Sequence, residues 1–391
     1  WATPGTAPDG SNNPETQHPM RWMDITSSAG NTTTDENGDF SLPGATSSTD
    51  ITFRYRGDWG RVMNSAGAEY SFTQTFTPNG GTALLNDART EHQTAEANAF
   101  KGMNDFHAWV KRIDPTDTTM DFQVLANVNQ SSTCNAYYDG SSINFYSSGS
   151  GCVNTAYSTV VAHEEGHWAN VRYSSGNGSD GFGEGAADVW GMYIYDDPIV
   201  GFDFCGTGCN VRDGNNTRQF CGDSNPGCYN GVHANGEVLM GALWKVRENL
   251  NTALGNAAGD LVADTLMLSW FNAYDDGQIR SWVEDHWLAL DDNDGNIFNG
   301  TPNFNEINDG FVQQGFPGVD LDLIQIDHTP LDDTQNEAGP YVVQADITSL
   351  TGGAITSADV VWSVNGGSET RTTMTSSGSS SYSADIPGQV S

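Results

Sequence analysis

The chain has 391 residues, 37% of them hydrophobic and 10% aromatic, which suits one to three globular domains and excludes a wholly disordered protein. Its 50 Asp and Glu residues outnumber its 15 Lys and Arg residues and give a formal net charge of -35. Nucleic acid and anionic membranes are bound by basic surfaces, so neither is expected as a partner. The sequence has no stretch of about 18 apolar residues, so no membrane span is predicted.

The first 50 residues are rich in Thr, Ser, Asn, Gly and Pro and predict a β-rich N-terminal segment (1–50). Within it, residues 34–42 read as a turn that enters an alternating strand. From residue 51 the composition becomes globular. Apolar spacing there predicts helices and strands in the order helix 92–113, strands 122–128 and 142–146, then helices 156–172 and 184–196.

Residues 199–231 form a long Gly-rich segment with little periodicity, followed by predicted helices at 233–250, 257–273, 278–289 and 303–314. The tail returns to strand-like alternation between Ser-, Thr- and Gly-rich turns. It predicts an Ig- or Fn3-like β-sandwich domain over 326–391. About five strands are recognisable, so the sequence also allows a sandwich that is incomplete in this chain.

Six cysteines lie between residues 134 and 228, and no two of them have the C-x-x-C spacing of a zinc ribbon. An even count in a Gly-, Ser- and Asn-rich chain favours disulfides and a secreted or extracellular location. Cys134 and Cys152 are the expected pair. The other four allow three connectivities and are Cys205, Cys209, Cys221 and Cys228.

The segment HEEGH places His163 and His167 four residues apart, on one face of a predicted helix, where both imidazoles can reach one zinc ion. A surface helix that merely carries two histidines is the alternative. Glu184, at the start of the next helix between small residues, supplies a third ligand. Asp188 follows on the same face and can bind the outer nitrogen of one histidine.

Three protein ligands leave a coordination position for water, as in catalytic rather than structural zinc sites. Glu164, beside the first ligand, is then the candidate general base. Glu165 points about 100° away around the helix and is predicted to be structural or solvated.

Two further segments bear on the function. Asn135-Ala136-Tyr137-Tyr138 precedes the HEEGH motif, and the Gly-Val-His of residues 231–233 follows it. With the metal ligands, these segments resemble the thermolysin-like and fungalysin-like zinc peptidases (gluzincins). The resemblance suggests a divergent secreted bacterial branch of that family. The resemblance implies an α+β zincin domain over 51–325, with a mixed-sheet lobe and a helical lobe. It also implies that Asn135 and Ala136 hold an extended substrate by strand addition and that His233 donates to the oxyanion.

Arg212 lies in the interval where the family has a substrate-binding arginine, and a structural ion pair with Asp213 or another acid is the alternative. Two features depart from the family pattern. The gap between His167 and Glu184 is shorter, and Tyr173 is not at the offset of the family's oxyanion tyrosine.

A second candidate metal site is the loop Asp291-Asp292-Asn293-Asp294-Gly295-Asn296, which concentrates oxygen ligands of the kind Ca²⁺ prefers. Its candidate ligands are Asp291, Asn293, Asp294 and Asn296. The loop does not fit the EF-hand register, so a solvated acidic loop that caps the following helix is an equal alternative.

Together these patterns predict a secreted, zinc-dependent endopeptidase that cleaves polypeptides. An extracellular structural or adhesive protein on a peptidase fold is the runner-up, although such a protein would not need Glu164. An exopeptidase would need a group that captures a chain terminus, and the sequence identifies none.

Overall fold

We describe a computed structural model of the chain, which covers residues 1–224, 228–378 and 380–389. Parts of two predicted regions lie outside the described residues, namely 225–227 of the four-cysteine segment and 379 and 390–391 of the tail domain. The described residues form a mixed α/β fold with seven α-helices and two compact units. The larger unit holds residues 1–290 and 305–318, and the smaller holds 291–304 and 319–391.

The larger unit contains an eight-stranded sheet, whose strands are β1 (Met23–Ser27), β2 (Gly30–Thr33), β3 (Thr49–Gly57), β4 (Gly60–Asn64), β5 (Phe72–Phe76), β6 (Val124–Gln130), β7 (Ala136–Tyr138) and β8 (Ile143–Tyr146). Their order is β2-β1-β3-β4-β6-β8-β7, and β5 pairs with β3. Strands β4, β6 and β8 are parallel, whereas β7 runs antiparallel to β8 and ends the order.

The N-terminal residues belong to this same sheet, so the compact units differ in their boundaries from the predicted three-part division. Strands β1 and β3 pair along their length because both bury alternate apolar side chains, Ile25 opposite Phe53 among them. The predicted turn near residue 36 forms, with the Asp35 carboxylate accepting from the amides of Asn37 and Asp39. The predicted strand over 39–42 is wrong, because Phe40 packs into the core from a backbone that joins no ladder.

The helices are α1 (Glu91–Ile113), α2 (Ser158–Arg172), α3 (Phe182–Tyr195), α4 (Val232–Leu254), α5 (Asn256–Ala273), α6 (Val283–Asp291) and α7 (Phe304–Gln313). Most agree with the predicted spans to within four residues. Helix α6 starts five residues late, because the preceding backbone amides bind distant carboxylates instead of forming a first turn. Ile279 N–H donates to Asp180 and Ser281 N–H donates to Asp223.

Small residues set the spacing of the three helices that carry the candidate site. A Cβ on Gly166 of α2 would come within 3.1 Å of the Ala187 Cα of α3. A Cβ on Gly185 of α3 would meet the Gly236 carbonyl oxygen of α4 at 2.4 Å, so neither glycine tolerates a side chain without movement. This close approach brings the start of α3 against both neighbours.

A short hairpin of β9 (Ile199–Val200) and β10 (Arg212–Asp213) encloses part of the four-cysteine segment. The expected Cys134–Cys152 disulfide is confirmed. The other four cysteines form Cys205–Cys209 and Cys221–Cys228. Of the three possible connectivities, this is the one in which each cysteine pairs with the next along the chain. These bonds are consistent with an oxidising compartment.

The smaller unit is β-rich, with strands β11 (Ile324–His328), β12 (Tyr341–Ser349), β13 (Asp359–Trp362), β14 (Thr370–Thr373), β15 (Thr375–Ser376) and β16 (Ser381–Ile386). They form a four-stranded sheet, β11-β12-β16-β15, and a two-stranded sheet, β13-β14. Val343, Ile347 and Met374 belong to a small shared core, against which Val360 of the second sheet packs. This arrangement is compatible with the predicted sandwich-like domain.

Candidate metal centre

Helix α2 directs both histidines of the HEEGH segment into one cleft. Four residues complete about one turn, so His163 and His167 lie on the same face of the helix. His163 is buried and His167 is only slightly exposed. The metal-binding atoms of His163, Glu164 and His167 all lie within 4.8 Å of one another. Among the described residues this is the group of three or more His, Cys, Asp or Glu side chains that converges closely enough to hold a metal ion.

Glu184 reaches the same point from the first turn of α3. Its Oε2 lies 3.4 Å from His163 Nε2 and 3.8 Å from His167 Nε2. Ligands about 2.1 Å from a tetrahedral ion are separated by about 3.4 Å, so both distances are close to those between ligands of one zinc ion. Glu184 Oε2 is also buried, and the imidazole nitrogens that surround it at 3.2–3.8 Å make no well-aligned hydrogen bond to it, as expected of an atom that binds a cation.

Asp188, one turn further along α3, orients the first histidine. Its Oδ1 lies 2.8 Å from His163 Nδ1, which directs the opposite nitrogen towards Glu184. Arg212 of β10 donates to both Asp188 oxygens, at 2.6 and 2.7 Å. Although burial opposes both shifts, this arrangement lowers the pKa of Asp188, and the Asp188 charge raises the pKa of His163 to about 10.

Asn177 orients the second histidine, although no sequence motif marks it as part of the site. Its Oδ1 lies 3.1 Å from His167 Nδ1, while its Nδ2 donates to the backbone oxygen of the same histidine at 2.9 Å. Asn170 of α2 holds the Asn177 amide in turn, at 3.1 Å. Burial and the neighbouring His163 lower the pKa of His167 to about 4.

The two adjacent glutamates of the motif occupy different environments. Glu164 lines the cleft, and burial raises its pKa to about 7, which is suitable for a group that must both accept and release a proton. Glu165 points into the protein with 1% of its surface exposed, and burial raises its pKa strongly. Of the two predicted alternatives for Glu165, the solvated one is therefore wrong and the structural one holds.

His233 stands at the beginning of α4, after the left-handed Gly231. Its Nε2 lies 3.2 Å from Glu184 Oε2, and 62% of the side chain is exposed towards solvent. The imidazole therefore lies at the mouth of the site, where a substrate can reach it, and not in the buried part of the site.

A cavity of about 630 Å³ is lined by His163, Glu164, His167, Asn177, Glu184, Arg212 and His233, together with Ala136 of β7 and Asn135, which directly precedes that strand. The predicted catalytic, metal and substrate-binding residues thus come together, although their roles stay predictions. Tyr173 is buried away from the cleft and donates to Asp117. A larger cavity, of about 860 Å³, lies beside β3 and β5 and contains no such cluster among the described residues.

The acidic loop of the smaller unit uses many of its oxygens internally. Asp291 accepts from Thr301 and Asn303, and Asp294 accepts from the Asn296 amide and the Asn299 side chain. Asn293 is exposed, and Asn296 caps a short 3-10 helix at Ile297–Asn299. These contacts fit the capping alternative, and calcium binding by the loop stays a prediction.

Among the described residues, no helix combines the length and the apolar character that crossing a membrane requires. Comparison of the whole chain with protein-family models and with curated proteins found no match.

Proposed function

We propose that this protein is a secreted zinc endopeptidase of the thermolysin-like and fungalysin-like type, and that its larger unit has the zincin fold. The observation that carries the proposal is the convergence of the buried Glu184 Oε2 with two imidazole nitrogens, at 3.4 and 3.8 Å. Two nitrogens and one carboxylate oxygen are the donor set of catalytic zinc. The three disulfides support export to an oxidising compartment.

His163, His167 and Glu184 would hold the zinc, which when bound lowers the pKa of a water and polarises a carbonyl. Glu164 lines the same cavity, where its carboxylate can take the proton from the attacking water and pass it to the leaving amine. Its raised pKa matches this two-way transfer near neutral pH.

The substrate would lie in extended form along the β7 edge, where the strand order ends and Ala136 and Tyr138 leave backbone groups for pairing. His233 at the cleft mouth would donate to the developing oxyanion. Arg212 is anchored by Asp188, so any contact it makes with the substrate carbonyl is made by a pre-oriented guanidinium.

The test compares Glu164→Gln with Glu165→Gln, two isosteric changes at neighbouring positions. We expect both variants and the wild type to bind about one zinc per chain. Cleavage of unfolded casein should fall by about 100-fold or more in Glu164→Gln and stay near wild type in Glu165→Gln. A zinc-loaded wild type that cleaves no unfolded protein would refute the enzymatic function, and failure to bind zinc after reconstitution would refute the site.

A further inference from the structure

The loop between β9 and β10, residues 201–211, is closed on itself by the Cys205–Cys209 disulfide, with a Cα–Cα distance of 5.2 Å. Hydrogen bonds between residues of the loop stabilise it. Cys209 N–H donates to the Gly206 carbonyl, and Asp203 N–H donates to the Asn210 side chain. Val211 N–H returns to the Gly201 carbonyl at 3.1 Å and closes the loop at its base. The loop is therefore a compact element with its own covalent constraint.

One side of this loop is anchored to the elements that frame the cleft. Thr159 of α2 accepts from Gly201 N–H at 3.1 Å, and the Tyr157 hydroxyl donates to the Phe202 carbonyl at 2.9 Å. Val153 N–H, directly after Cys152, donates to the Phe204 carbonyl at 3.0 Å. These contacts fix residues 201–204, whereas hydrogen bonds within the loop itself hold residues 205–210.

The other side of the loop forms a wall of the metal cleft. Phe204 and Val211 flank the disulfide, and both line the cavity that contains the two histidines. Arg212 follows Val211 directly and pairs across the hairpin with Val200. Arg212 itself is held by two hydrogen bonds to the buried Asp188, at 2.6 and 2.7 Å, so a shift of the Val211 side chain leaves the guanidinium in place.

The hairpin itself is weak, since β9 and β10 share two residue pairs. Two-stranded hairpins of this size are marginal in water, so the wall depends on the added covalent constraint. Cys205 and Cys209 are both exposed, which makes their bond accessible to a reductant in solvent.

We propose that residues 201–211 form a reducible wall of the cleft, through which thiols control peptide binding. A dithiol attacks the Cys205–Cys209 bond, and thiol–disulfide exchange transfers two electrons. Two protein thiols form while the dithiol is oxidised to its own disulfide. Residues 205–210 then lose their fixed conformation, and the Val211 side chain no longer holds one position against the substrate, while Phe204 and the ligands His163, His167 and Glu184 stay in place. This inference rests on the proposed peptidase function, which it extends by a mode of regulation.

The test uses the full chain and the variant Cys205→Ser/Cys209→Ser, with Cys221→Ser/Cys228→Ser as the matched control. The control removes another exposed disulfide between near neighbours, and neither of its cysteines lines the cleft. A fluorogenic peptide with a leucine beside the scissile bond reports kcat and KM. Amide hydrogen exchange of residues 199–213 and the zinc content report the loop and the metal site separately.

In Cys205→Ser/Cys209→Ser we expect KM to rise about tenfold with kcat within about threefold of wild type, because substrate binding rather than chemistry is affected. Zinc content should be unchanged, and amide exchange over 199–213 should be faster. Reduction of wild type with a phosphine, which gains the oxygen of water as the disulfide gains two hydrogens, should reproduce these changes. It should cause no further change in Cys205→Ser/Cys209→Ser, which keeps the Cys134–Cys152 disulfide beside the cleft. The control variant should match oxidised wild type and keep its sensitivity to reduction.

A KM within twofold of wild type in Cys205→Ser/Cys209→Ser would overturn the proposal, as would an equal loss in the control variant. Loss of zinc together with kcat would assign the disulfide a merely structural role and would also overturn it. Oxidised, zinc-loaded wild type is measured first, so a failure of peptidase activity itself is recognised separately.

Discussion

Replacing Asp188 with asparagine tests the link between the buried ion pair and the metal ligand. The Asp188 side chain is fully buried and serves two partners, His163 at 2.8 Å and the guanidinium of Arg212 through two hydrogen bonds. Removal of one member of a buried pair leaves the other charge uncompensated, which costs about 3–5 kcal/mol of folding free energy. Loss of the partner that orients a ligating histidine lowers metal affinity by about 10–100-fold.

Asp264→Asn provides the matched comparison. Asp264 is equally buried and accepts from two arginines, Arg247 at 2.6 Å and Arg112 at 2.9 Å, in the helical part of the same unit. Both variants should therefore lose similar stability, measured as the free energy of unfolding in urea with the metal removed. Only Asp188→Asn should show weaker zinc binding, measured by competition with a chelating dye.

The comparison separates orientation of the ligand from general stability. Equal weakening of zinc binding in both variants would mean that affinity follows stability alone. Unchanged zinc affinity in Asp188→Asn would show that His163 needs no carboxylate behind it, and the reasoning about the site would be refuted.

Three further predictions concern other parts of the larger unit. Asn177→Ala should weaken zinc binding about tenfold with little loss of stability, because the residue is exposed, and Asn177→Asp should restore the affinity by keeping the acceptor oxygen. Gly185→Ala should cost about 1–3 kcal/mol in denaturant unfolding and also weaken zinc binding, since its Cβ would force α3 away from α4; wild-type affinity would contradict this. Burial raises the pKa of Glu284 to about 8, so the folded state binds more protons than the unfolded state between pH 4.5 and about 8, and stability falls as pH rises through that window. Glu284→Gln should remove this fall, at most about 5 kcal/mol, in urea titrations at pH 5 and 8, and an unaltered pH dependence would assign it to other groups.

Most of the secondary structure of the larger unit could be predicted because its helices carry long apolar stripes. Helix α1, which buries Ala95, Phe100 and Met103, begins and ends within one residue of the predicted span. The errors occur where side chains compete for the backbone. Asp35 closes a turn that no strand follows, and Asp223 draws the backbone before α6 out of helical geometry. Both carboxylates act at positions that their sequence neighbourhood alone does not specify.

The N-terminal residues show a different limit. Composition separates residues 1–50 from the rest, since they are poor in large aliphatic side chains. In the structure, however, β1 pairs with β3, so the sheet order places them in the same unit. Strand pairing between residues such as Thr26 and Thr52 is decided by tertiary contacts, which local composition does not encode.

The sequence by itself determined the spacing of His163 and His167, because four residues of a helix always place two side chains on one face. It also distinguished Glu164 from Glu165, since adjacent helical residues diverge by about 100°. Only the tertiary structure decided which distant groups complete the site. The approach of Gly185 to Gly236 fixes the start of α3, and the β9–β10 hairpin brings Arg212 to Asp188. Asn177 reaches His167 through a loop conformation with no sequence signature, because such contacts depend on how separate elements pack and not on a repeating local geometry.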